Sequence, residues 1–93
     1  MAVVESASGV ADIDVRAPDA TIGLLVKPVG SPSGTGTIQY QPIGGASDTW
    51  ETIDIDALDM SVQNTRIVEA TYIKALRVES SESSDSFTIQ IIG

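Results

Sequence analysis

The chemically reactive material of this 93-residue chain is thirteen Asp and Glu side chains against five Lys and Arg, with no His and no Cys. Carboxylates at alternate strand positions share a face, so Asp54 and Asp56, with Asp59 folding back from a turn, could offer hard oxygen ligands to calcium. The set lacks the glycine and terminal glutamate of an EF-hand loop. A solvated strand face is the reading expected there, as it is for Asp12 and Asp14. Glycosidase-type carboxylate pairs need one member desolvated in a cleft, which a two-layer domain of this size rarely holds. Serine chemistry without histidine would need a Ser-Lys arrangement through Lys27 or Lys74, and no motif supports one. Gly30-Ser-Pro-Ser-Gly-Thr-Gly36 has the glycines of a phosphate cradle without the lysine and helix that follow in a P-loop, and reads as a flexible hairpin loop. Without cysteine there is no thiolate nucleophile, disulfide or Cys-based zinc site, and without histidine the commonest general base is missing. The chain is expected to be no enzyme and to need no cofactor.

Aromatic rings test for sugar binding, and there are four: Tyr40, Trp50, Tyr72 and Phe87. Three of them fall at core positions of their segments. Trp50 alone is a candidate platform for a glycan, against the expectation that it packs over the end of the core.

The elements that must position these groups are strands. Ile, Val and Thr make up 28 of the 93 residues and Leu only four, a β-branched bias that disfavours helix. Glycine and proline cluster at residues 28–36 and 42–45, and serine at 80–86, marking turns. Residues 10–16 alternate with Ala11, Ile13 and Val15 inward. Residues 21–29 repeat the alternation, with Ile22, Leu24 and Val26 inward. Gly23 and Leu25 make the outer side of that second segment unusually apolar, so it is expected to be covered on both faces. Residues 37–41 place Ile38 and Tyr40 inward. Ile53 and Ile55 alternate in a strand over 52–56, with a bulge or strand entry after Trp50. Between Ala57 and Val68 the spacing predicts a strand near 60–63 and a loop through Asn64 and Thr65, with a helical turn at 56–59 as the competing reading. Leu76 and Val78 point inward, Ile73 and Lys74 break that register, and a helix through 68–79 is the alternative. Phe87, Ile89 and Ile91 alternate cleanly in the last strand, entered through a hairpin loop at 80–86.

Seven or eight short strands with turns every ~8 to 12 residues describe a single antiparallel β-sandwich, Ig-like or jelly-roll-like. Residues 10–93 form that domain, and residues 1–9 are an N-terminal arm or first edge strand. The net charge of -8 opposes nucleic acid and anionic membrane faces. No apolar run approaches the length needed to span a bilayer. The opening residues lack a basic n-region and an apolar h-region, so synthesis in a cytoplasm is expected.

Four pieces together resemble a known group: Thr37-Ile-Gln-Tyr-Gln41, a Gly44-Gly45 turn into Thr49-Trp50-Glu51-Thr52-Ile53, Tyr72-Ile-Lys-Ala-Leu-Arg-Val78 and Phe87-Thr-Ile-Gln-Ile-Ile92. In order and type they are similar to the small β-sandwich virion proteins of tailed bacteriophages, over residues 10–93. The resemblance implies a head-decoration or cement protein on the capsid surface, often a trimer over junctions between major capsid subunits. Tail or fibre modules share the pattern, and a carbohydrate-binding adhesion module is the alternative. Contact with the major capsid protein or another virion protein is expected through Val3, Val4 and Ile92.

Overall fold

β-branched segments broken by glycine and proline fold here into strands alone. The structure, a computed structural model, describes residues 3–44, 49–53 and 56–92, and of 16–20 and 70–72 the backbone only. The described residues form β1 (Val3–Glu5), β2 (Val10–Val29), β3 (Thr35–Pro42), β4 (Glu51–Thr52), β5 (Leu58–Asp59), β6 (Asn64–Ser80) and β7 (Ser86–Ile91). All pairings are antiparallel, in the order β1-β7-β2-β6-β3-β4, with β5 also on β3.

Two long strands organise the molecule. β2 has 20 residues and β6 has 17, paired from Val10 opposite Glu79 to Val26 opposite Asn64. Extended at ~3.3 Å per residue, β2 would run ~66 Å, whereas the longest dimension of the molecule is 35 Å. Both strands therefore turn a corner together, and the sheet folds into two packed layers. The first layer holds residues 10–14 of β2, 75–79 of β6, and β3 with its short partners β4 and β5. The second holds 64–69 of β6, 21–29 of β2, β7 and β1. The result is the antiparallel β-sandwich expected from the alternation.

The corner is made by bulges. In the β2–β6 ladder, Val15 and Arg16 stand opposite the single residue Lys74, and on its other side Lys74 has no counterpart between Gln41 and Pro42 of β3. One extra residue in β2 flips its side-chain parity. That is why Ala11 and Ile13 before the bulge, and Ile22, Leu24 and Val26 after it, all face one core. The segments expected as two short strands are a single bulged strand, and the register break at Ile73 and Lys74 is the same feature seen from β6.

Between the layers lie Ile38, Leu76 and Val78 from one side and Val68, Phe87 and Ile89 from the other, with Leu58 and Met60 closing the core. Two expectations are corrected. Residues 60–63 are a turn and the strand begins at Asn64, because the buried Asn64 amide donates to the carbonyls of Asp59 (2.7 Å) and Val62 (3.0 Å) and pins that turn. No helical turn forms at its start, since Leu58 and Asp59 pair with Gly36 and Thr35. Of the strand expected over 52–56 the structure describes β4, entered directly after Trp50, and the Ile53 amide that donates to the Ile38 carbonyl at 2.9 Å, while Asp54 and Ile55 lie outside the described residues.

The connections at 30–34 and 81–85 are not hairpins either. β2 and β3 are not neighbours, nor are β6 and β7, so each connection arches from one layer to the other. Asp85 ties the arches together: its carboxylate accepts from the Ser33 and Gly34 amides (3.1 and 2.9 Å) and from the Ser80 hydroxyl (2.7 Å). Gly34 is glycine because a Cβ there would stand 2.3 Å from Ser80 Oγ and 2.7 Å from Asp85 Oδ2. These donors hold the Asp85 carboxyl below the ordinary carboxylate range, the Ser80 hydroxyl foremost. Beside them, Ser8 and Gly9 take positive φ (54° and 76°) in a two-residue hairpin closed by Ala7 and Val10, which carries the chain from β1 into the other layer.

Candidate functional site

Because strand residues alternate, each layer also has an outer face, and the two differ in character. On the first layer, Asp12, Arg77 and Gln39 lie in one row across β2, β6 and β3. Arg77 grips Asp12 with both arms of its fork, Nε to Oδ1 at 2.7 Å and Nη2 to Oδ2 at 3.1 Å. The Asp12 hydrogen bonds hold the guanidinium more firmly protonated than usual. Trp50 lies against the same guanidinium, whose carbon is 4.0 Å from the ring centroid. Gln39 Nε2 donates to Glu79 at 3.1 Å, and Tyr40 donates its hydroxyl to Glu51, which raises the phenol pKa. This face satisfies its own charges.

Trp50 is thus half-buried on the outside of the first layer and is not a member of the core cluster. The expectation that it packs over the end of the core is corrected. β4 begins one residue later and pairs Thr52 with Gln39, which places the indole over the Arg77 row.

The second layer's outer face is built differently. Gly23 pairs with Ile67, and the Ile92 amide donates to the Gly23 carbonyl at 2.8 Å, so Ile67, Gly23 and Ile92 form one row. The next row is Thr65, Leu25, Gln90 and Val3, and the next holds Lys27, Thr88 and Glu5. Ile67 is 70% exposed, Val3 54% and Ile92 41%. Val29 extends the apolar surface past Lys27, where a shallow groove of about 190 Å³ runs between Glu5, Ser6, Val29 and Thr88 over Ser86 and Phe87. Lys27 and Glu5 are exposed and have no ion-pair partner among the described residues.

Of the predicted contact residues, Val3 and Ile92 lie on this face. Val4 does not: it pairs with Ile89 and packs against the core. Of the two readings of residues 1–9, an arm or a first edge strand, Val3–Glu5 forms an edge strand on β7. Sequence reasoning singled out Gly23 and Leu25 as a strangely apolar outer side but missed Ile67, whose position on the same face depends on a register between β2 and β6 that no local pattern reveals. Among the metal candidates, Asp54 lies outside the described residues and Asp56 is exposed. Asp59 accepts from the amide and hydroxyl of Ser61 (3.0 and 2.6 Å), which lowers its pKa and makes it a turn cap. Among the described residues no three acidic side chains converge as a metal site. The chain shows no match to any protein-family model, curated protein or solved structure.

Proposed function

We propose that the chain is a non-catalytic assembly module, and that it works as a decoration or cement protein on the head of a tailed bacteriophage. The observation that carries the assembly reading is the contrast between a self-satisfied charged face and a second face that leaves Val3, Ile67 and Ile92 in water. The resemblance of the strand sequences to phage virion sandwiches supports the finer assignment. A composition without histidine or cysteine, and carboxylates engaged in turn caps and clamps at Asp59 and Asp85, favour binding over chemistry.

The half-buried indole of Trp50 on the first outer face is the observation behind a second reading, an adhesion module that stacks a sugar on that ring. Immunogold labelling of particles released by the host that carries the gene decides between them. Gold over the heads supports decoration, gold confined to tails or fibres moves the protein there, and unlabelled particles overturn the virion assignment. Binding on a glycan array that Trp50→Ala abolishes would establish the adhesion reading.

A further inference from the structure

The second outer face has a partner written into its own layout. On it β7 lies between β2 on one side and β1 on the other, with β6 beyond β2. Lys27 and Glu5 stand in one row on either side of Thr88, roughly 10 Å apart across two strand spacings. Leu25 and Val3 flank Gln90 in the row below, and Ile92 lies on the midline itself. Rotation by a half turn about an axis along β7 carries β2 over β1. Lys27 of one copy then meets Glu5 of the other, Leu25 meets Val3, and Ile92 meets Ile92.

We propose that this face is closed by a second copy of the chain, packed face to face about that two-fold axis. Each contact occurs twice, the self-complementarity an isologous interface requires. The two charges that β1, β7 and β2 carry on this face, Lys27 and Glu5, cancel, so two chains of net charge -8 can approach here while Asp12 and Glu79 lie on the opposite outer face. Desolvation pairs Val3 with Leu25 and Ile92 with its own counterpart, while Ile67 on β6 lies outside the paired rows, and aligned sheet packing tolerates the twist. The pair would also give the strand carrying Gly23 and Leu25 the second cover that its apolar outer side calls for. The proposal deepens the assembly reading by naming the occupant of the face, and a two-fold pair departs from the trimer implied by the phage resemblance.

Sedimentation equilibrium over a concentration series tests it. The wild type should approach twice the chain mass. Lys27→Glu and Glu5→Lys should each weaken association by about tenfold or more, since both copies of the pair turn repulsive, and the double exchange should restore it. Ile92→Lys, which sets two like charges together on the axis, should leave a monomer with an unchanged fold by circular dichroism. A monomer at all concentrations, a trimer, or a dimer indifferent to both charge reversals overturns the pairing. A monomer that still labels phage heads sinks this inference alone, whereas a dimer that labels no particle sinks the virion assignment and leaves the pairing intact.

Discussion

The same two strands, β2 and β6, run through both outer faces, yet one face is closed by its own ion pair and the other is open. On the first layer the outward residues are Asp12, Arg77 and Glu79, and the fork between Arg77 and Asp12, roofed by Trp50, leaves little for a partner to satisfy. On the second layer the outward residues of the same strands are Gly23, Leu25 and Ile67, whose contact with water a partner would relieve. Burial follows from which face of its layer a residue takes, and the side of the corner decides what the outer face of a strand displays.

Truncation beneath either face should have the largest effect. Leu76→Ala, at a side chain with no exposure, is expected to cost about 2 to 5 kcal/mol in urea denaturation. A loss under 1 kcal/mol would mean that the core is not continuous under the charged face.

Asp85→Asn comes next, because an amide in place of the carboxylate would set its own N–H against one of three donors. The folded-state pKa of Asp85 is depressed, so its contribution is fully present above the unfolded value and is lost as pH falls through the folded one. The wild type should lose stability between about pH 4 and lower values, and the variant should show a flatter acid limb. Equal acid limbs would show that the arches do not depend on this carboxylate.

Arg77→Ala removes a partly exposed ion pair and the cation from the indole, about 1 kcal/mol together. Trp50 is the sole tryptophan, so its emission reports the loss directly, and an unchanged spectrum would break the claim that the first face is self-satisfied. Ile67→Ser should be smallest, within about 0.5 kcal/mol on the isolated chain, because the side chain is 70% exposed. A large loss there would mean that Ile67 already has a partner inside the chain and that the contrast between the faces is weaker than drawn.

Much of this was legible from residue types. β-branched content and period-two alternation identify Ala11, Ile13, Ile22, Leu24, Val26, Ile38, Leu76, Val78, Phe87 and Ile89 as inward residues, because a pleated strand with one wet side requires that spacing. The odd register at Ile73 and Lys74 was visible too. Its meaning was not. A parity change between Val15 and Ile22 reads locally as two strands, and only the partner strand, continuous through Lys74, shows it to be one strand with a bulge. The arches at 30–34 and 81–85 carry the same serines and glycines as hairpin loops, since turn chemistry does not record which strand the chain will meet next. Trp50 lost its place in the core because β4 enters immediately after it. The open face was half legible, in Gly23, Leu25, Val3 and Ile92, and Ile67 joined them only through cross-strand register. By itself the sequence determined strand character, the inward set and the acidic balance, all of which depend on neighbours within a few residues. Tertiary structure alone decided which strands pair, where the sheet turns its corner and which apolar residues meet on one face, because those outcomes rest on contacts between residues distant along the chain.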